Sequence, residues 1–148
     1  YKIAEYDAFL TKQDPAFTVE ELEEAMQKVM DQYAGGIGTH YQFNEKQLAM
    51  AEEKIKKLQI LAKGLAAADM HELMFIYELK ERLTVCLTVI AHLRARKETR
   101  WHSFAENLDY PEKSDAWLCY VNSKKNGDQI TMIRRDLVKG GETYEHRD

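Results

Sequence analysis

A long run of apolar side chains between residues 69 and 96 constrains the fold of this chain more than any other feature. Asp69 begins the segment as a helix N-cap, and Glu72 completes its capping box. Drawn as a helix, the segment carries apolar side chains on most of its circumference: Leu73, Met74, Phe75, Ile76, Tyr77, Leu79, Leu83, Val85, Cys86, Leu87, Val89, Ile90 and Leu93. A helix that is apolar nearly all round is buried on several sides. We therefore expect a central helix with other helices packed around it and a further surface on its remaining side.

An amphipathic helix is predicted for residues 18–34. Thr18 and Glu21 form a Thr-x-x-Glu capping box, in which each side chain satisfies the other residue's free backbone N–H. Apolar residues then recur at helical spacing, and Gly35 and Gly36 supply the left-handed stop that helix ends favour. This helix is expected to pack on the central one.

A second amphipathic helix is predicted for residues 44–65. Asn44 and Gln47 form its reciprocal cap, and lysines line its wet side. The expected buried stripe consists of Leu48, Met50 or Ala51, Ile55, Leu58, and Leu61 or Ala62. Together the three helices predict a three-helix bundle.

The C-terminal part of the chain has strand-like rather than helical patterns. Residues 117–121 and 130–133 are short β-prone runs, and Asn126-Gly127 between them is a strong hairpin signal. We predict one mainly α domain: an N-terminal segment at 1–17, which could form a short helix, a bundle at 18–97, an ordered loop and β-hairpin at 98–138, and a mobile tail at 139–148.

Charge and composition exclude several classes of function. The net charge is −4 with a sequence pI near 5.8, whereas nucleic-acid-binding modules usually have a basic balance. No apolar run is long enough for membrane insertion. Cys86 and Cys119 lie far apart among apolar neighbours, which favours buried, reduced thiols in the cytoplasm over a disulfide. The chain opens on Tyr1, and we expect it to be a piece of a larger protein.

The spacings that catalysis or metal binding requires are missing from the sequence. None of the five histidines has a glutamate three residues before it, and there is no His-Glu-x-x-His or Cys-x-x-Cys motif. The glycines at 35, 36 and 38 close a helix rather than open one, so they are a poor phosphate cradle. We expect no catalytic, cofactor-binding or metal-binding residue in this chain.

The densest polar and aromatic stretch follows the central helix, at Glu98, Arg100 and Trp101. The arginine could bind a carboxylate or phosphate through bidentate hydrogen bonds. Alternatively, Glu98 and Arg100 pair with each other and tie the helix end to the following loop. His71 and Glu72, in the first turn of the same helix, could form a further polar anchor. These five residues are the candidates for an inter-domain contact.

Several short stretches of the chain carry a family resemblance. They are residues 30–36, Tyr41 with Asn44-Glu45, Asp69 to Leu73 with Glu78-Leu79, Glu98 to Trp101, Asp109-Tyr110-Pro111, and Val121-Asn122-Ser123. Over residues 15–135 the sequence resembles the C-terminal part of the fumarate reductase and succinate dehydrogenase flavoprotein family. Within that family, Glu-Thr-Arg-Trp and Val-Asn-Ser resemble the adenylylsulfate reductase branch.

The resemblance implies a spectrin-repeat-like three-helix bundle that serves as scaffold and contact surface. It implies that FAD binds to an N-terminal flavin domain of the same polypeptide and that iron–sulfur clusters lie in a partner beta subunit. The whole enzyme would reduce adenylylsulfate to sulfite and AMP, while this domain by itself would be inactive. Two alternatives stay open: the same domain of a related flavoprotein with another substrate, and a free-standing helical interaction module.

Overall fold

The computed structural model describes residues 1–138. It consists of four α-helices followed by a β-hairpin, with a further pair of very short strands. The helices are α1 (Lys2–Leu10), α2 (Val19–Tyr33), α3 (Glu45–Ala62) and α4 (Met70–Ala95). The strands are β1 (Gln42–Phe43), β2 (Glu106–Asn107), β3 (Cys119–Asn126) and β4 (Gln129–Asp136), with 3₁₀ turns at Ile37–Thr39 and Asp115–Trp117. The prediction of a mainly α domain with a C-terminal hairpin is confirmed, and the short N-terminal helix is present as α1. The predicted mobile tail at 139–148 lies outside the described residues.

The core lies along one side of α4, where α1, α2 and α3 pack against it. The fully buried residues of α4 all face these helices: Leu73, Ile76, Leu79, Leu83 and Ile90. Its opposite side is exposed in this chain, and Val85, for example, keeps 60% of its surface accessible. The expected packing of the other helices on α4 is confirmed, whereas the further partner surface expected on its remaining side stays a prediction.

The caps at the starts of α2 and α3 differ in completeness. At α2 the Glu21 N–H donates to Thr18 Oγ1 over 3.2 Å and the Thr18 N–H donates to the Glu21 carboxylate over 2.9 Å, so the predicted box is confirmed. At α3 the Gln47 N–H donates to Asn44 Oδ1 over 2.8 Å. The predicted return bond from Gln47 is wrong, because its buried Oε1 has no partner within residues 1–138.

The cap of α4 also departs from the predicted box. Asp69 Oδ1 accepts hydrogen bonds from the backbone N–H groups of His71 and Glu72, each over 2.9 Å. The Glu72 carboxylate accepts a hydrogen bond from the Ala68 N–H over 2.7 Å instead of from the Asp69 N–H.

The buried stripe of α3 contains Ala51 rather than Met50, and Ala62 rather than Leu61. Met50 and Leu61 are exposed.

The strands form two separate pairs. β3 and β4 form the predicted antiparallel hairpin, in which Asn126 pairs with Gln129 and Gly127 takes a left-handed φ of 60° in the turn. β1 and β2 form a parallel pair that connects the start of α3 to the loop after α4. This pair was not predicted, because strands of two residues carry no periodic signal in the sequence.

Two further expectations concern the thiols and the membrane. Both cysteines are free, as predicted, although each is half-buried rather than buried. Among the described residues, no helix combines the length and apolar character that crossing a bilayer requires.

Replacing a core residue of α4 should test this packing. Leu83→Ala should lower the free energy of unfolding by about 2–5 kcal/mol, because it removes a fully buried side chain and leaves a cavity. Val85→Ala, two residues further on the exposed side, should change the stability by no more than about 0.5 kcal/mol. Urea unfolding followed by circular dichroism measures both, and equal losses would contradict the assignment of the core.

Candidate functional site

A buried carboxylate organises the segment that follows α4. Glu98 is only 4% exposed, and its side chain accepts four hydrogen bonds. Two come from Nε and Nη2 of Arg100 over 2.9 Å each, in a bidentate arrangement. The others come from Arg96 Nη1 over 2.8 Å and the Ser114 N–H over 2.9 Å. We call Glu98, Arg96 and Arg100 the ionic lock.

The two arginines of the ionic lock also bind backbone carbonyls further along the chain. Arg96 donates to the carbonyl oxygens of Trp117 over 2.8 Å and Cys119 over 3.0 Å. Arg100 donates to the Ser114 carbonyl over 3.1 Å. The ionic lock therefore joins the end of α4 to the following loop and to the base of the hairpin.

The protonation of Glu98 follows from these contacts. Burial raises the pKa of the carboxyl, but the hydrogen bonds from Arg100, the Ser114 N–H and Arg96 favour the charged form and hold the pKa at about 2. The same pairing raises the pKa of Arg100 above its ordinary value. At neutral pH the site is a fully charged network whose members satisfy one another, so neither Glu98 nor Arg100 is placed to transfer protons or to receive an anionic ligand.

Of the two sequence interpretations, the structural pairing of Glu98 with Arg100 is thus the one confirmed. The basic residues at the end of α4 have specific acidic partners. Arg94 forms ion pairs with Glu45 and Glu52 of α3, with its Nε 2.9 Å from the Glu45 carboxylate. Arg96, which is not among the five predicted contact residues, is a full member of the ionic lock. Its partner carbonyls lie about 20 residues ahead, a distance that local pattern reasoning does not reach.

Trp117 connects the hairpin to the ionic lock through its ring. The guanidinium of Arg134, on β4, lies 4.3 Å from the ring centroid, and that of Arg96 lies 5.9 Å away. Cations over an indole face are attracted by its quadrupole. The hairpin is therefore attached at its base.

Trp101 behaves differently from its neighbours in sequence. Its side chain is 70% exposed, and that of Phe104 is 74% exposed. The Phe104 ring lies 6.4 Å from that of Tyr41 across the β1–β2 pair, and the exposed Leu108 bonds through its N–H to the Phe43 carbonyl over 2.8 Å.

The other two candidate contact residues lie elsewhere. His71 and Glu72 are exposed in the first turn of α4, where the His71 ring packs edge-on against Phe75 at 4.8 Å. A helix of 26 residues places them about 39 Å from the ionic lock. The five candidates therefore do not form one site: Glu98 and Arg100 belong to the ionic lock, Trp101 follows it on the surface, and His71 and Glu72 lie at the far end of α4.

The glycine loop after α2 is closed by an acidic side chain. The Gly38 N–H donates to Asp31 Oδ1 over 2.9 Å, and a Cβ at Gly38 would lie 2.5 Å from Oδ2 of the same carboxylate. A phosphate group here would meet a negative charge, so the residues do not fit the diphosphate of a nucleotide cofactor. Within residues 1–138, no three His, Cys, Asp or Glu side chains gather to hold a metal ion.

The chain is similar in sequence to one family of flavoproteins. A family model described as fumarate reductase flavoprotein C-term matches residues 23–142. The curated adenylylsulfate reductase subunit alpha of Megalodesulfovibrio gigas is 34% identical over 98 residues, which are 66% of this chain and 15% of that subunit. The chain thus spans a small part of the length of this relative.

Solved structures give a similar result. Adenylylsulfate reductase from Archaeoglobus fulgidus superimposes with a TM-score of 0.84 at 32% identity, over 96% of this chain and 24% of that one. Adenosine-5-phosphosulfate reductase in complex with sulfite gives 0.82 at 34% identity, with the same coverage of both chains. Quinol fumarate reductase of E. coli gives 0.77 at 18% identity, over 97% of this chain and 25% of that one, which shows the fold alone.

Neutralising Glu98 should reveal the ionic lock in the pH dependence of stability. The folded pKa of about 2 lies below the unfolded value, so Glu98 stabilises the fold above pH 4.5, and this contribution is lost as the pH falls towards 2. Glu98→Gln should cost about 3–5 kcal/mol at pH 7, because it leaves the half-buried guanidinium groups of Arg96 and Arg100 without their carboxylate, and should flatten the acid limb.

Glu24→Gln is the matched control, because Glu24 forms an exposed ion pair with Lys28. It should leave the urea unfolding curve at pH 7 nearly unchanged. An acid limb in Glu98→Gln as steep as that of the unmodified chain would contradict the role assigned to Glu98.

Proposed function

The chain belongs to the fumarate reductase flavoprotein C-terminal family, and from that premise we propose that it is the helical scaffold domain of an adenylylsulfate reductase-like flavoprotein. The whole enzyme reduces adenylylsulfate to sulfite and AMP. In this proposal the domain contributes a rigid contact surface and no catalytic residue.

The observation that carries the scaffold role is the ionic lock. The most strongly perturbed carboxyl among the described residues, Glu98, is paired with Arg96 and Arg100 and turned into the fold. A catalytic acid or base is instead held within reach of a reacting group, with a pKa near the working pH. Glu98 and Arg100 therefore act as positioning residues that fix the loop carrying Trp101.

The choice of the adenylylsulfate reductase branch rests on similarity. The relatives at 32–34% identity are adenylylsulfate reductases, whereas the fumarate reductase is 18% identical. We propose that the flavin domain belongs to the same polypeptide and binds FAD, which supplies the redox chemistry when bound. An iron–sulfur beta subunit supplies the electrons, and the free thiols of Cys86 and Cys119 suit the cytoplasm.

Two preparations test the proposed function. The full-length polypeptide that carries this domain should show flavin absorption and release AMP and sulfite from adenylylsulfate in the presence of a reduced dye. The 148-residue chain by itself should be colourless and inactive, because its glycine loop is closed by Asp31 and its buried carboxylate, Glu98, is paired with Arg100.

Fumarate serves as the control substrate. Turnover of fumarate but not of adenylylsulfate would move the parent enzyme to another branch of the family. A full-length polypeptide without flavin would favour the free-standing interaction module, and flavin binding by the 148-residue chain would contradict the scaffold role.

A further inference from the structure

We propose that the free edge of β4, together with the cleft beneath it, is a docking site for an extended acidic segment of a second polypeptide. The segment adds to the hairpin as a third strand, and its backbone pairs with Ile130 and Met132 of β4. This inference goes beyond the proposed function, because it assigns a partner to the hairpin whichever substrate the parent enzyme reduces.

The first argument is the direction of the backbone groups along β4. The hairpin has a two-residue turn, which the pair of Asn126 and Gln129 closes. Such a closing pair is hydrogen-bonded, and bonded and non-bonded pairs then alternate along the strands, so the N–H and C=O groups of Ile130 and Met132 point away from β3. Within residues 1–138, no backbone group outside the hairpin bonds to them.

The opposite edge of the hairpin, on β3, is different. The Cys119 carbonyl on this edge accepts a hydrogen bond from Arg96 of the ionic lock over 3.0 Å, and Lys125 lies on the same edge near the turn. Lysines and covering side chains keep an edge strand from pairing with another chain. The middle of the β4 edge carries Ile130 and Met132 instead, so it lacks this protection.

A cleft of about 530 Å³ lies between the hairpin and the helices α3 and α4. The half-buried side chains of Ile130 and Met132 line it on the hairpin side, and Leu87, Ile90 and Ala91 line it on the side of α4. Every second side chain of an added strand points the same way as Ile130 and Met132, into this cleft. The site thus offers both main-chain hydrogen bonds and an apolar pocket for alternate side chains, which strand addition uses.

The charges around the cleft favour an acidic segment. Residues 119–136 contain four basic side chains and two acidic ones, of which one is in the turn and one at the end of β4. Lys97 also lines the cleft, is exposed and forms no ion pair within residues 1–138. Arg94 and Lys56 are instead already paired with Glu52. Carboxylates of a docked segment therefore complement Lys97 and the basic excess of the hairpin.

A second copy of the chain does not fit this edge. The cleft is lined by residues of α3, α4 and β4, so α3 lies on the β4 side of α4. Two hairpins paired edge to edge are related by a two-fold axis perpendicular to the joint sheet, which places both bundles on the same face of that sheet. Each α3 then occupies the space beneath the β4 strand of the other copy. A single extended segment has no such bulk, and it avoids the repulsion between two basic hairpins.

A proline substitution on each edge tests the docking site in the full-length flavoprotein. Met132→Pro removes an outward N–H and spares the hydrogen bonds to β3, and Ser123→Pro removes the equivalent N–H at the paired position of the other edge. The probe is a fluorescein-labelled peptide of alternating glutamate and valine, as long as β4, titrated by fluorescence anisotropy. Met132→Pro should weaken its binding about tenfold, because one strand hydrogen bond is lost and its acceptor is left unpaired. Ser123→Pro should leave the affinity unchanged.

The paired positions of the two substitutions make Ser123→Pro a matched control for disturbance of the hairpin. Equal affinity in the two variants would overturn the proposal, and so would the absence of saturable binding to the unmodified flavoprotein. A peptide of alternating lysine and valine is the charge control and should bind severalfold more weakly than the glutamate peptide. Equal binding of the two peptides would contradict the acidic occupant.

Hydrogen exchange followed by mass spectrometry gives a readout that needs no substitution. Saturation of the full-length flavoprotein with the glutamate peptide should slow amide exchange in β4 and leave exchange in β3 unchanged. Equal slowing in both strands would mean that the peptide stabilises the whole hairpin without adding to one edge. Slowing in β4 that rises with flavoprotein concentration before any peptide is added would assign the edge to a second copy. Either result would overturn the proposal.

Discussion

The burial of one carboxylate governs how the second half of this domain is arranged. Glu98 lies three residues beyond the end of α4, and its charge can leave water only because Arg96, Arg100 and a backbone N–H replace its hydration. The two guanidinium groups then have donors left for the carbonyls of the loop and hairpin. Two-stranded hairpins are marginal in water by themselves, so β3 and β4 depend on this attachment.

This arrangement separates two tasks that lie close together in sequence. Glu98 and Arg100 face inward and hold the loop, whereas Trp101, the next residue, faces outward. In the sequence these three residues stand out together as one dense polar and aromatic stretch. The structure gives each of the three a physical role. His71 and Glu72 lie at the other end of α4, where the Glu72 carboxylate accepts a hydrogen bond from the Ala68 N–H at the start of the helix.

How far the sequence predicts this fold depends on how local each signal is. The start of α2 follows from Thr18 and Glu21, which are three residues apart, and the hairpin follows from Asn126-Gly127. The β1–β2 pair and the contacts of Arg96 join residues 21–64 positions apart, so they depend on how the helices bring distant segments together. The apolar residues all round α4 show a different limit of sequence-based prediction. They indicate that several sides of the helix can be buried by a partner, but not whether that partner is part of this chain.

The parallel pairing of β1 with β2 joins residues 64 apart in the sequence, with all of α3 and α4 between them. Closing so long a loop costs more chain entropy than forming any local element, so the two strands can meet only once α3 and α4 have folded back on each other. Tyr41 and Phe104 come together through this same pairing. Their ring contact therefore forms late, and its presence reports that the bundle has completed its folding.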